Sequence, residues 1–314
     1  MLNCTFQFLH HARLPLALAV FPIRAEVFWP YFDGAVLLVI GLIRIIKDEL
    51  RQERGIDKIM PFGRLFYVIP LAAFGTEHFT DTKDIANIVP AWMPWHTFWA
   101  YLVGAALIAA ALSIILEKRA RLAATLLGCM FLIFVALIHI PNIVAGHGAR
   151  LFWAIALRDT SFGGAAFALA GRRSKSTPSD GVPWLVTLAR FLVGVPAIVF
   201  GVEFFLHPAL APGIPLELTT PAWIPAHLFW SYVTGAVLIA FGACIVVNKK
   251  SRLAATCLGI EILLLVVFIY IPILIADPSI GVGLNNFADT LLYSGTALVL
   301  ANAIGERSSH EAVA

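Results

Sequence analysis

Long apolar segments recur along the whole chain, and short polar stretches separate them. An α-helix needs about 20 apolar residues to cross the hydrocarbon core of a bilayer. Nine segments reach this length, and the pattern predicts an all-α, polytopic membrane protein with about nine transmembrane helices. The predicted spans are 27–46, 62–79, 95–116, 122–145, 151–170, 184–206, 227–247, 253–276 and 284–304.

Lysine and arginine are distributed unequally between the two sets of loops. One set holds 14 of them, and the alternate set holds only Lys83 and Arg150. Because basic loops stay on the cytoplasmic side, this bias predicts insertion in the cytoplasmic (inner) membrane with the C-terminus in the cytoplasm. The basic set comprises the segments 47–61, 117–121, 171–183, 248–252 and the tail from 305.

The composition excludes several classes of protein. Hydrophobic residues make up 60% of the chain and charged residues 13%, against about 25% charge in a soluble domain. The net charge of +3 is small, so we expect the lipid bilayer as a partner and no nucleic acid. The four cysteines are far apart, which argues against a thiol relay or a zinc ribbon. We interpret residues 1–26 as a disordered or interfacial lead-in.

The chain contains an internal repeat. Self-similarity over this length indicates duplication of one structural unit. The last of three matching pairs of segments is identical at 13 of 25 positions. The pairs are 64–79 with 190–205, 90–99 with 221–230, and 121–145 with 252–276, at offsets of 126, 131 and 131.

The repeat predicts two tandem, parallel four-helix bundles plus one N-terminal helix. Each copy holds four spans, so both copies insert in the same orientation, and their axis should stand along the membrane normal. The predicted regions are 1–61 (lead-in, first helix and cytoplasmic linker), 62–171 (first repeat), 172–183 (cytoplasmic linker), 184–304 (second repeat) and 305–314 (cytoplasmic tail).

Three motifs resemble the DoxX/DoxD-like superfamily of membrane proteins. They are the segment from Arg64 to Gly75, the W-x-P-x-H-x-F-W pattern at 92–99 and 223–230, and EKRARLAA at 117–124. The resemblance covers both repeats and implies a fused pair of four-helix units. Some members of this superfamily take part in quinone-linked oxidation of sulfur compounds or in redox-defence complexes, so the resemblance implies a redox-linked role.

Ionisable groups near the outer ends of the helices are candidate site residues, because such groups are costly within a span. Glu77 and its counterpart Glu203 follow Phe-Gly at the end of the first helix of each repeat. His96 and His227 open the second helix. An imidazole beside a carboxylate forms a proton donor–acceptor pair that works near neutral pH. A purely structural hydrogen bond, or an interfacial anchor, is the alternative.

The third helix adds His139 in the first repeat and Tyr270 in the second. Together with Glu77 and His96, His139 predicts a pocket between helices in the outer leaflet. His78 is a weaker candidate for cofactor binding. Haem or a metal is disfavoured because the second copy has Phe204 in place of His78, and we predict no metal site.

Arg158 and Asp159 lie near the middle of the fourth helix, and Asp289-Thr290 matches Asp159-Thr160 with a one-residue slip. Adjacent residues on a helix point in different directions, so we expect each of the pair to find a partner on another helix or to reach a water-filled cavity. Asp159 and Asp289 are therefore candidate site residues, and Arg158 is a weaker candidate for cofactor binding.

Three functions remain open on the sequence. The first is a redox-linked membrane subunit, such as an oxidoreductase subunit, that holds a quinone in the outer pocket and contacts a redox partner protein. The second is a small-molecule or lipid transporter with parallel repeats that rock about a central site. The third is a non-catalytic membrane scaffold.

The orientation can be tested with single cysteines at positions 119 and 217. An impermeant thiol reagent added to intact cells should label position 217, in the predicted outer loop, and leave position 119 unlabelled until the cells are permeabilised. Labelling of 119 but not 217 on intact cells would reverse the predicted topology.

Overall fold

The structure is a computed structural model that describes residues 25–50, 55–146, 148–172 and 181–311. The predicted lead-in over 1–24, most of the linker 172–183 and the end of the tail lie outside these residues. The long helices are α1 (Ala25–Arg44), α2 (Met60–Thr80), α3 (His96–Ile115), α4 (Ala120–Phe134), α5 (Arg150–Gly171), α6 (Pro183–Leu206), α7 (His227–Val246), α8 (Ser251–Leu265) and α9 (Asn285–Glu311).

Eight helical segments within the described residues are long and apolar enough to cross a membrane. They agree in position with eight of the nine predicted spans. The ninth predicted span is helical as α5, but α5 is not among the eight segments. It carries Arg158 and Asp159 within its sequence, which lower its hydropathy.

The backbone repeats as the sequence does. Within the described residues, every non-glycine residue with a positive φ has a repeat counterpart with a nearly equal φ. These residues begin helices or shape the turn between the second and third helices of each copy. The three pairs are Trp95 (60°) with Ala226 (54°), Glu117 (56°) with Asn248 (58°), and Arg119 (52°) with Lys250 (51°).

A π-helical turn interrupts the third helix of each repeat at the same place. It spans Val135–His139 after α4 and Val266–Tyr270 after α8, and a short α-helix follows each turn. Pro141 and Pro272 lie two residues beyond these turns. Because proline has no N–H group, the regular ladder of hydrogen bonds cannot continue through it. The turns therefore set the directions of His139 and Tyr270.

The two repeats do not form two self-contained bundles. Helix α2 packs extensively on α9 of the second repeat, and α5 packs equally on α6, while α5 and α9 also touch. The first helix of each copy thus lies against the fourth helix of the other copy. This differs from the expected tandem arrangement, in which each repeat would pack its first helix on its own fourth helix.

Glycines in the fourth helices explain this exchange. A Cβ atom at Gly295 would lie 2.5 Å from the backbone nitrogen of Tyr67 on α2. A Cβ atom at the counterpart Gly164 would lie 2.9 Å from Cβ of Leu192 on α6. Small residues let helices approach closely and gain dispersion energy where lipid supplies no hydrophobic drive. The two interfaces are therefore repeat-related versions of one contact.

The loops of the basic set converge on one end of the structure. Glu117 pairs with Arg44 at 3.3 Å, with Arg172 at 3.7 Å and with buried Arg64. Arg252 pairs with Asp57 at 2.9 Å at the same end. The structure therefore groups the predicted inner loops together.

The alternate loops meet at the opposite end. Arg150, at the start of α5, donates hydrogen bonds to the carbonyl oxygens of Pro215 and Leu216 at 2.5 and 2.6 Å. Tyr31 of α1 donates to the carbonyl oxygen of Pro278 at 3.3 Å. These contacts tie the predicted outer loops to one another.

The ion pairs of Glu117 predict a dependence of stability on pH. Partial burial alone would raise its pKa, but the three neighbouring guanidinium groups outweigh this effect and hold the pKa of Glu117 below its ordinary value of 4.5. A depressed pKa stabilises the fold above the ordinary value, and this contribution disappears as the pH falls through the lowered pKa. Because the carboxylate is 43% exposed, solvent screens the pairs, and the contribution is at most about 1 kcal/mol.

Glu117→Gln should therefore lower the thermal unfolding temperature of purified protein slightly at neutral pH. The difference from the parent protein should shrink in acid. Glu217→Gln, at an exposed loop position, serves as the matched control and should have no effect at either pH. A Glu117→Gln deficit that grows in acid would contradict this assignment.

Candidate functional site

A buried ionic cluster joins the two repeats at the contact of α5 and α9. The Arg158 guanidinium donates through Nη1 to Oδ2 of Asp289 at 2.7 Å. It also donates through Nε to Oδ1 of its neighbour Asp159 at 3.0 Å. The relative exposure is 6% for Asp159 and 4% for Asp289. Asp159-Thr160 and Asp289-Thr290 match between the copies with a one-residue slip, so one cation is shared by related parts of the two fourth helices.

The contact between Arg158 and Asp159 corrects a sequence-based expectation. Neighbouring side chains on a helix leave in different directions, and from this we expected no direct pairing. The long arginine side chain curls back far enough to reach Asp159. Arg158 also finds the partner on another helix that the sequence argument required, in Asp289.

His139 extends the cluster on the side of the first repeat. Its Nε2 atom lies 2.8 Å from Oδ2 of Asp159, and its side chain is 13% exposed. The π-helical turn before Pro141 aims the imidazole at α5. The counterpart Tyr270 has a different partner, since its hydroxyl donates to the carbonyl oxygen of Pro212 at 3.0 Å.

Glu77 extends the cluster toward the outer end of α2. With the Asn285 amide oriented so that its nitrogen faces the carboxylate, Asn285 donates to Glu77 at 2.7 and 3.2 Å. Glu77 is 6% exposed and lies close enough to Asp289 to feel its charge. Glu77, Asp289, Arg158, Asp159 and His139 thus form one connected group, which we call the axial cluster.

Three predicted histidines lie outside the axial cluster. His96 and His227 begin α3 and α7 and are partly exposed. The described residues provide no hydrogen bond or ion pair to either side chain. His78 turns to its own helix, where Nδ1 lies 2.7 Å from the carbonyl oxygen of Phe74. The predicted partnership of Glu77 with His96 is replaced by the hydrogen bonds from Asn285.

The counterpart of Glu77 in the second repeat has different neighbours. Glu203, the counterpart of Glu77, is only partly buried, and the nearest basic group is Nε2 of His207 at 3.8 Å, one turn further on. At the position that corresponds to Asn285 the first repeat has Ile155. Glu203 therefore lacks the amide that holds Glu77, and the two outer ends of the cluster are unequal.

Sequence reasoning missed Asn285 and the contact of Thr76 with Asp33. Thr76 donates a short hydrogen bond to the Asp33 carboxylate, which fastens α1 beside the Glu77 turn. The signal for Asn285 was available, because a polar residue stands in α9 where the first repeat has an isoleucine. No repeat signal exists for Asp33, since α1 lies outside the duplication.

The axial cluster carries an excess of negative charge when all its carboxylates are ionised. Asp159, Asp289 and Glu77 face one guanidinium, Arg158, and one titratable imidazole, His139. A net charge in a low-dielectric interior is costly. Protons on His139 and on one carboxylate would make the group neutral, so the arrangement can bind and release protons. Among the described residues no group of three or more His, Cys, Asp or Glu side chains is arranged to hold a metal ion.

Comparison with known proteins gives one family-model match, over part of the first repeat. The family model of a domain of unknown function (DUF8561) matches residues 68–150, from within α2 to the start of α5. This region contains Glu77, His96 and His139 but neither Arg158 nor the second repeat. No curated protein and no solved structure was found to match the chain.

Proposed function

We propose that this chain is a proton-coupled transporter whose two repeats move relative to each other about Arg158. The observation that carries the proposal is the guanidinium shared by Asp159 of the first repeat and Asp289 of the second. In carriers built from repeats, the coupling site lies near the bilayer midplane at the interface between the repeats. The axial cluster has the corresponding place in this fold.

The depth of the cluster supports this role. Asp159 lies nine residues after Arg150, where α5 begins, and Asp289 lies nine residues after Ile280, where the last span begins. At 1.5 Å per residue, both carboxylates are about 14 Å from the outer ends of their helices. This is close to half of the roughly 30 Å hydrocarbon thickness.

Proton binding would change how the repeats are held together. With both aspartates ionised, Arg158 links α5 to α9 by a charged hydrogen bond on each side. A proton on Asp289 removes one of these charged partners and leaves the balanced pair of Arg158 with Asp159. Protonation therefore weakens the link between repeats without leaving an unpaired cation.

A redox-linked role is the second candidate, and the His139 imidazole favours it. Asp159 orients the ring through Nε2, and Nδ1 has no partner among the described residues. Such an imidazole can donate a hydrogen bond to a quinone carbonyl. Together with the DoxX/DoxD-like resemblance, this arrangement supports a quinone-interacting subunit that contacts a redox partner protein. Quinone that co-purifies with the protein and is lost in His139→Gln would favour this candidate over transport.

The proposed placement is the cytoplasmic membrane with the C-terminus inside. The grouping of all described basic loops at one end supports it, together with the basic-residue bias. We propose α5 as a ninth span, because it packs on α4, α6 and α9, each of which is apolar enough to cross a membrane. Two duplicated four-helix units with exchanged first helices are the proposed architecture.

The transport proposal can be tested by distances between spin labels at positions 92 and 223. These repeat-related tryptophans are exposed at the outer ends of the two copies, at 69% and 49%. In cysteine-substituted protein in lipid nanodiscs, the distance distribution should change as the pH is lowered. Asp289→Asn should abolish the change, because it removes a proton-binding partner of Arg158. The exposed Asp84→Asn is the control and should respond like the parent protein.

A distribution in the parent protein that is the same at all pH values would contradict a moving, proton-coupled protein. It would favour the scaffold, in which the axial cluster only fastens the repeats.

A further inference from the structure

Unpartnered polar atoms concentrate in the second repeat. Within the described residues, all buried side-chain nitrogen and oxygen atoms without a hydrogen-bond partner belong to this copy. Each such atom costs about 1–3 kcal/mol if it stays dry. These atoms are on Glu203, Arg252, Glu261, Asp289, Tyr293 and Thr296.

Three of these residues line one face of α9. Asp289, Tyr293 and Thr296 are spaced i, i+4 and i+7, so their side chains lie above one another along the helix. Tyr293 is 1% exposed and Thr296 is fully buried. The Tyr293 hydroxyl, the Thr296 hydroxyl and Oδ1 of Asp289 have no partner. We call these three residues the α9 stripe.

Glu261 of α8 faces the α9 stripe. Ser294 donates to the carbonyl oxygen of Gly259 at 2.8 Å, which fixes the register of the two helices and brings Glu261 level with Tyr293. Thr234 of α7 donates to Oε1 of Glu261 at 2.9 Å, while Oε2 has no partner. Both Tyr293 and Tyr270 lie close enough to Glu261 to feel its charge.

The other neighbours of this group carry no charge apart from Asp289. Tyr270 lies between Glu261 and Asp289 and feels both carboxylates. On the side that faces α6 this group packs against an apolar side chain, since the Phe200 ring lies 5.9 Å from the Tyr293 ring. No cation among the described residues compensates Glu261, in contrast to Asp289, which has Arg158.

The first repeat has lost or never gained this polar interior. Met130 stands in place of Glu261, and Val103 in place of Thr234. At the offset of 131 that aligns Gly164 with Gly295, Tyr293 and Thr296 correspond to Phe162 and Ala165. Common ancestry with the first repeat therefore does not account for the unpartnered atoms, and they are specific to the second copy.

An outer loop closes the second repeat above this group. Residues 210–215 are buried. Ser231 donates to the carbonyl oxygen of Leu210 at 3.2 Å, and Tyr270 holds that of Pro212. Arg150 of the first repeat holds the loop at Pro215. The contacts seal the outer end of the second repeat.

The inner end is open. A cleft of ≈ 470 Å³ lies between the start of α8 and the end of α9 and is lined by Asp57, Arg252, Thr256 and Ile304 among others. Thr256 is five residues before Glu261, and Ile304 is eight residues after Thr296. These separations correspond to about 8 and 12 Å along the helices. Water in the cleft is therefore within one or two helical turns of the unpartnered oxygens.

We propose that Glu261 is a proton-carrying site that connects the inner cleft to the axial cluster through waters held along the α9 stripe. A proton from cleft water binds to the Glu261 carboxylate. The protonated carboxyl then gives a proton to a water held by the Tyr293 hydroxyl, and that water gives one to Asp289. No bond other than O–H bonds forms or breaks, and no electrons move. This proposal rests on the proposed proton-coupled function. It adds the path by which protons pass from the inner cleft to the axial cluster.

Infrared difference spectra of the whole protein in lipid nanodiscs test this proposal without a transport assay. Acidification from about pH 9 to about pH 5 should produce a carboxylic acid C=O band, because this range crosses the titration of carboxyl groups in apolar sites. The band should shift in D₂O, because the carboxyl proton exchanges for deuterium. Glu261→Gln should remove the component that belongs to Glu261, while the component of protonated Asp289 remains, and Tyr293→Phe should displace the Glu261 component by altering the hydration of the carboxyl.

Two further variants keep the result interpretable. Glu261→Met introduces the residue that the first repeat already carries at this position, so it should fold, and it should also lack the Glu261 component. Glu217→Gln, in the exposed outer loop, should leave the band unchanged. A band that is the same in the parent protein and in both Glu261 variants, or one that does not shift in D₂O, would overturn the proposal.

The infrared and spin-label experiments together distinguish the proton site at Glu261 from the proposed transport. A Glu261 band in a protein whose spin-label distances ignore pH would leave the proton site standing and reject the moving transporter. Distances that respond to pH without any Glu261 band would keep the transporter and reject this path.

Discussion

An arginine that lies mostly inside the protein must keep an anionic partner, because a lone cation in a low-dielectric interior costs several kcal/mol. In this protein the Arg158 side chain is 21% exposed and has two partners, Asp159 of the first repeat and Asp289 of the second. The requirement brings α5 and α9 together at the centre of the structure. Each fourth helix presents one side to the other copy. Helix α2 packs on that side of α9, and α6 packs on that side of α5. The exchange of first helices follows from this central contact.

Small residues allow the first helices to pack closely on the fourth helices beside the central contact. Gly164 and Gly295 let the fourth helices lie against the first helices of the other copy with backbone-level separation. One residue earlier, Gly163 and Ser294 face the third helix of their own copy, where Ser294 adds a hydrogen bond to Gly259. Adjacent residues of each fourth helix thus contact two different helices, the first helix of the other copy and the third helix of the same copy. Duplication preserved this geometry while the polar residues diverged, and Glu261 with the α9 stripe is the clearest result of that divergence.

The sequence predicted the positions of the helices along the chain well and their directions around the bundle poorly. Hydrophobic lengths predicted the position of each described long helix. The predicted helix ends suggested that Glu77 would meet His96, since both lie at the predicted outer ends of successive helices. The structure gives Glu77 the amide of Asn285 instead, because α2 turns that face toward α9 of the other copy. The apolar pattern of a nearly uniformly hydrophobic helix does not say which neighbour it will face.

The central claim is that Arg158 holds the two repeats together through Asp159 and Asp289. Its most direct test is the thermal and chemical stability of purified Arg158→Met in lipid, compared with the triple variant Arg158→Met, Asp159→Asn, Asp289→Asn. The account predicts that the single variant loses about 3–5 kcal/mol, because it leaves buried carboxylates unpaired, and that the triple variant recovers most of this loss. A single variant as stable as the parent protein, or a triple variant no more stable than the single one, would contradict the account.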